Sequence, residues 1–411
     1  MAPDGGQQCL RSHGVKLLPQ GGRRRLIPTN ESAPVGIYFP LQHYPDQAPR
    51  CFQGLWRQHG VHPDSGEGRL GETNHSLQQW MTSGEARYRA FELSWRSQSI
   101  AIPELPFCSV DELGAGIPLI SIEPEEPQCW PELDPGPHDT PFLQMARGDL
   151  RLTVDEIGRF RITDGERIVW HRQHSGVSHQ DIRTFLLGSA VGALLIQRGI
   201  LVLHGNALEK DGHAIVCMGH SGAGKSTLAY ALMQQGWRLL ADDLVAVTPD
   251  GLVLPGIPRI KLWHDAAIAF GLDPDQLPPI RQGMHKYLLM GDALQRADRP
   301  VPLKALYLIH QSRHESADRE QGRISRITSQ KSAALRLRNQ AFRPRFVRGL
   351  GQEGPNFMAL AKLQRCVPMA TLTLPLGIAA MGDWLEQHDL LHAPANAPGP
   401  NEACTTELVV S

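Results

Sequence analysis

Residues 219–226 read Gly219-His220-Ser221-Gly222-Ala223-Gly224-Lys225-Ser226, with Thr227 behind them, and match G-x-x-x-x-G-K-[ST] at every fixed position. The chemistry of that spacing is phosphate binding. Its glycines let the backbone curl so that successive N–H groups face one anion. A helix starting there adds the positive end of its dipole. Lys225 offers a mobile charge to β- and γ-phosphates, and Ser226 a hydroxyl to Mg²⁺. The flanks agree with this reading. Residues 214–218 (AIVCM) are an apolar run suited to a buried strand, and residues 226–235 (STLAYALMQQ) predict a helix stopped by Gly236. The expected ligand is a nucleoside triphosphate.

A second chemical pair follows. Residues 238–241 predict a strand that ends in Asp242-Asp243, and residues 244–247 continue it. A carboxylate at the end of an apolar strand after a phosphate loop is a common Mg²⁺ holder. On an extended backbone two adjacent side chains point to opposite sides, so one would serve the metal and the other accept a proton. A solvated Asp-Asp turn is the plainer alternative. Upstream, the buried run 200–203 delivers His204-Gly205-Asn206-Ala207; His204 alone would read as a core histidine bonded to backbone.

These groups have to be positioned by a sizeable fold. The chain has 411 residues, enough for two or three domains. A net charge of -1 argues against general nucleic-acid or membrane-surface binding. No run reaches membrane-spanning length, and no signal peptide is visible at the N-terminus. The seven cysteines are scattered and never form C-x-x-C, which predicts free thiols and a cytoplasmic location.

Residues 1–85 show no sustained period and predict a loosely structured or disordered extension; His43, His59, His62 and His75 within it match no ligand pattern. Residues 86–180 predict a β-rich domain built as an antiparallel layer. Its strands are expected at 91–95, 149–154, 159–163 and 167–170, with an edge segment at 100–105, a loop over 124–141 and a hairpin turn at Asp164-Gly165-Glu166. His171, His174 and His179 read as polar loop residues. Residues 181–390 predict the phosphate-loop core with a helical C-terminal part, opened by a buried helix over 181–197. Arg259, Lys261 and Lys286 flank the predicted site and suit phosphate or peptide-carboxylate contacts; arginines 336, 338, 343, 345 and 348 cluster near Pro344. Residues 391–411 read as a flexible tail.

Taken together, His204-Gly205, the 219–226 loop and Gly236-x-Arg238-Leu239-x-Ala241-Asp242-Asp243 resemble the catalytic core of bacterial HPr kinase/phosphorylase. The resemblance implies an α/β fold with a P-loop core of the HPr kinase and PEP carboxykinase type. It implies that Lys225 binds the ATP phosphates, Ser226 the Mg²⁺, and that Asp243 takes the proton of an acceptor serine. Asp242 would assist Asp243 or the metal, and His204 would lie near that carboxylate, where an imidazolium would favour its ionised form. Bifunctional members carry a metal-binding glutamate downstream, whereas residues 255–263 (PGIPRIKLW) hold no acidic group. Phosphorylase activity and recognition of HPr are therefore not implied. That segment, with 88–105, 185–204, 286–287 and 302–307, instead resembles the divergent subgroup associated with lasso-peptide precursors.

The expectation is an ATP- and Mg²⁺-dependent serine kinase acting on a peptide or small protein, with a homo-oligomer left open. A small-molecule kinase on the same core and a non-catalytic nucleotide-dependent regulator are the alternatives.

Overall fold

The computed structural model describes residues 85–108, 116–281, 283–291, 294–310 and 322–392. All belong to one compact unit, Glu67–Ser411. The extension expected over 1–85 and the tail over 391–411 lie outside the described residues, save Glu85, Leu391 and His392. The protein is a mixed α/β structure with several sheets.

The first sheet has seven strands: β1 (Glu85–Ala90), β2 (Leu93–Gln98), β3 (Leu119–Pro124), β4 (Leu143–Ala146), β5 (Asp149–Val154), β6 (Gly158–Thr163) and β7 (Arg167–Arg172). Their order is β1-β2-β3-β7-β6-β5-β4. The expectation of an antiparallel layer is corrected at β3, which pairs in parallel with both β2 and β7. The long connection over 125–142 separates β3 from β4, so β3 need not enter as a hairpin partner and is free to insert beside β7. The strand expected at 91–95 is corrected too. Phe91 and Glu92 form the two-residue turn between β1 and β2, with φ of 57° and 56°. Two positive φ values give the turn the twist that matches its strands, although neither residue is a glycine. Residues 100–105 form no edge strand, turning over 103–105, with Ile100 and Ile102 fully buried.

Ser178 caps a helix by accepting from the Asp181 amide at 3.1 Å. That helix runs as α1 (His179–Phe185), a π-helical segment (Leu186–Ala190) and α2 (Val191–Gln197). Its buried face joins one core with the first sheet, including Tyr88, Phe160, Ile182, Leu186 and Leu194. Hydrophobic packing is therefore continuous across residue 180.

The second sheet contains β8 (Leu201–Lys210), β9 (His213–Met218), β10 (Arg238–Val247), β11 (Leu252–Val253), β14 (Val301–Ile309), β15 (Arg323–Arg326) and β16 (Met369–Thr373). Its order is β11-β10-β8-β9-β14-β16-β15, and the short β11 also pairs with β14. Period-two alternation divides two cores. Ile215, Cys217, Ala305 and Tyr307 pack on one side with α3 (Lys225–Gln234) and α8 (Ile378–Gln387). Ala214, Val216, Leu306 and Leu308 face the other side, with α5 (Gln330–Arg338) and α7 (Glu353–Cys366). The short helices α4 (His264–Ala269) and α6 (Pro344–Gly349) complete the order. A separate two-stranded sheet pairs β12 (Arg259–Trp263) with β13 (Lys286–Met290). Ile260, Leu262 and Leu289 on one of its faces are buried in the core that contains α3.

Candidate functional site

The 219–226 loop leaves the end of β9 and enters α3. Gly219, Gly222 and Gly224 have φ of 154°, 80° and 94°, values open to glycine and strained for other residues. At Gly219 space is short as well, since a Cβ would lie 3.0 Å from the Ile309 carbonyl oxygen. His220, Ser221 and Gly222 are exposed, Ala223 is buried, and Gly224, Lys225, Ser226 and Thr227 are half-buried. Lys225 Nζ folds back over the loop and donates to the carbonyls of Gly219 at 2.8 Å and His220 at 3.0 Å.

The strand β10 runs antiparallel to β8, pairing Asp242 with Asn206, Asp243 with Gly205 and Leu244 with His204. Directly opposed side chains can touch, and here Asn206 Nδ2 donates to Asp242 Oδ1 at 2.6 Å. Gly205 has a steric reason: a Cβ there would lie 2.6 Å from the Cys217 carbonyl oxygen on β9. The pair Arg238–Glu209 closes the far end of the same ladder, with Nε 2.5 Å from Oε2.

Asp243 departs from regular strand geometry, with φ of 69° inside β10. A left-handed non-glycine residue costs about 1–2 kcal/mol, and such strain gathers at functional positions. The positive φ breaks the alternation of a strand, and both groups end on one residue of β12. The Lys261 amide donates to Asp242 Oδ2 at 3.1 Å, and Lys261 Nζ donates to Asp243 Oδ2.

Electrostatics separates the two acids. Burial and the neighbouring Asp243 charge hold Asp242 well above the usual carboxylate range. Burial pushes Asp243 the same way, but the Lys261 ammonium, with Arg259 and His204, overcomes it and holds that carboxyl low. His204 is moved below its ordinary value by burial and by Lys225, against the opposing charge of Asp243 and a hydrogen bond to the Asp243 backbone. The cation in hydrogen-bond contact with Asp243 is the Lys261 ammonium.

Lys225 lies in the field of Asp243, Asp242 and Lys286, which act on it after burial. The fold thus gathers Lys225, His204, Asp242 and Asp243 from the loop, β8 and β10. The exposed His220 and Ser221 do not join them. The hairpin supplies what motif reading left uncertain: Lys261 at Asp243, and Arg259, only 3% exposed, whose Nε finds no hydrogen-bond partner among the described residues. Lys286 lies over the Trp263 ring at 5.3 Å.

Asn206 carried no role in the motif. Its one legible signal was its place two residues after His204 on a strand, hence on the same face. Two of the histidines expected in loops are corrected: His171 lies in β7, its Nδ1 3.3 Å from Glu126, and His179 opens α1, its Nε2 2.7 Å from Arg172.

The oxygen donors suit a hard divalent cation such as Mg²⁺. They are the Ser226 hydroxyl, the Asp242 carboxylate and the amide oxygen of Asn206, which is buried without a hydrogen-bond partner among the described residues. No helix among the described residues is long and apolar enough to cross a membrane. Compared with protein-family models and with curated proteins, the chain matches none.

Proposed function

We propose that this chain is an ATP- and Mg²⁺-dependent serine kinase with a P-loop core of the HPr kinase and PEP carboxykinase type, acting on a peptide or small protein. One observation carries the reading. Gly205 on β8 pairs with Asp243 on one side and with Met218, the residue before the loop, on the other, so the two separate motifs lie side by side across the sheet. A phosphate-binding loop needs only its lysine; a phosphoryl-transfer enzyme also needs a carboxylate beside the transferred group.

In this reading the loop amides and Lys225 hold the ATP phosphates, while Ser226 and Asp242 hold Mg²⁺. Bound there, Mg²⁺ neutralises charge on the phosphate oxygens. Asn206 and the Lys261 amide orient Asp242 through its two oxygens. Asp243 takes the proton of the acceptor serine hydroxyl. His204, bonded to the Asp243 backbone, braces that residue in its left-handed conformation.

The test is transfer of label from γ-labelled ATP to serine-containing peptides, with nucleotide binding measured in parallel. Asp243→Asn is expected to lower transfer by about 10²- to 10⁴-fold, the usual range for a general base, while ATP still binds. Transfer at near wild-type rate in that variant removes Asp243 from the base role. Binding without transfer to any acceptor points instead to a nucleotide-dependent regulator.

A further inference from the structure

The hairpin β12–β13 turns a cationic face toward the aspartates. Arg259 and Lys261 lie on one face of β12, and Lys286 opposes Trp263 across the ladder on that same face. Together with Lys225, four cations act on two carboxylates. The surplus is positive, which suits a further anion. Three of the four have places of their own apart from the Asp243 oxygen. Lys225 is bonded to loop carbonyls, Lys286 is stacked on Trp263, and Arg259 is buried beside the pair.

Lys261 differs from these. Its backbone is pinned by the hydrogen bond to Asp242, while its side chain, 15% exposed, ends on Asp243. A lysine is a point charge on a flexible stem, able to change partner while its Cα stays fixed.

Resting on the kinase reading above, we propose that Lys261 is a catalytic residue that exchanges partners: its ammonium caps Asp243 when no phosphoryl donor is bound and moves onto the transferred phosphoryl group when one is. The exchange leaves the Asp243 oxygen open to the acceptor. The serine Oγ proton passes to that carboxylate as the Oγ–Pγ bond forms. The bond from Pγ to the bridging oxygen breaks, and its electron pair leaves on ADP. Lys261 meanwhile faces the charge on the equatorial oxygens. Arg259 stays beside the carboxylates, so Asp243 is not left without a cation. The device ties exposure of the base to presence of the donor.

The test is calorimetric titration of the full-length protein with Mg·ADP, with and without aluminium fluoride as a mimic of the transferred group. Wild type is expected to bind Mg·ADP more tightly when fluoride is present. Lys261→Met should lose about tenfold or more of that gain, the value of one hydrogen bond to a charged group, with Mg·ADP affinity nearly unchanged. Asp243→Asn releases Lys261 and should bind a non-hydrolysable Mg·ATP analogue about tenfold more tightly than wild type. The double variant D243N/K261M removes both charges, avoids an unpaired buried ion and should lose that increase. If K261M does not fold, the comparison of D243N with D243N/K261M decides.

A fluoride gain kept in K261M, or absent from a wild type that binds Mg·ADP, overturns the role of Lys261 alone. So does D243N binding the analogue no more tightly than wild type. A wild type that binds no Mg-nucleotide overturns the kinase reading and this one together.

Discussion

Asn206 and Asp242 face each other across β8 and β10, both buried, with the amide nitrogen 2.6 Å from the carboxylate. The other oxygen of Asp242 takes the Lys261 amide. Asp242 is thus held from two strands, and its direction is set before any ligand arrives.

That relationship predicts a cost for Asn206→Leu, which keeps the branched shape and removes both the donor to Asp242 and the buried amide oxygen. Partners that orient a metal ligand are typically worth about 10- to 100-fold in metal affinity. A manganese titration of the nucleotide-bound protein, read by electron paramagnetic resonance, should show a loss in that range. Unchanged manganese affinity would separate Asn206 from the metal and leave it a structural pair.

Gly205→Ala tests the close approach of β8 and β9. The added methyl would meet backbone, the Cys217 carbonyl oxygen at 2.6 Å, which cannot rotate away. Overpacking of this kind costs about 1–3 kcal/mol. Denaturant unfolding should show that loss; a midpoint equal to wild type would mean that the two strands separate freely.

Glu209 is 1% exposed. Burial alone would raise its pKa, but the Arg238 guanidinium and the Gly212 amide hold it below the ordinary value. A depressed folded pKa stabilises the fold above the unfolded value, about 4.3, and that stabilisation is lost as pH falls through the folded value. Glu209→Gln should therefore be less stable than wild type at pH 7, with the difference shrinking below about pH 4. Arg238→Ala leaves the carboxylate without its cation; because the Arg238 side chain is 43% exposed, water screens the pair and the cost should be about 1–3 kcal/mol at neutral pH. Equal losses at pH 7 and pH 3 for Glu209→Gln would show that its charge plays no part.

How much of this was legible follows from which forces are local. The loop could be read residue by residue because glycine, lysine and serine each answer a backbone or charge requirement at a fixed offset. The hairpin turn at Asp164-Gly165 was readable for the same reason, and both residues have positive φ. The turn at Phe91-Glu92 was not. Nothing in an alternating Phe-Glu-Leu-Ser-Trp run signals a left-handed pair, and the conformation is held by a distant contact, the Phe91 amide donating to the Pro255 carbonyl at 2.7 Å. Gly256 beside it leaves room for the Phe91 ring, which a Cβ would approach to 2.9 Å.

The parallel insertion of β3 was hidden likewise, since strand composition carries no partner or direction. Pairing energy lies in cross-strand contacts between residues far apart in the chain.

By itself the sequence determined that a phosphate-binding loop is followed by two acids and preceded by a histidine, and which residue types stand there. Only the tertiary structure decided how those groups meet. It put Asn206 opposite Asp242, turned Asp243 to a left-handed φ and set the Lys261 ammonium on Asp243. The physical reason is that a charge's partner and its solvation depend on what folding brings within a few ångströms, and that neighbourhood is written in no local stretch of the chain.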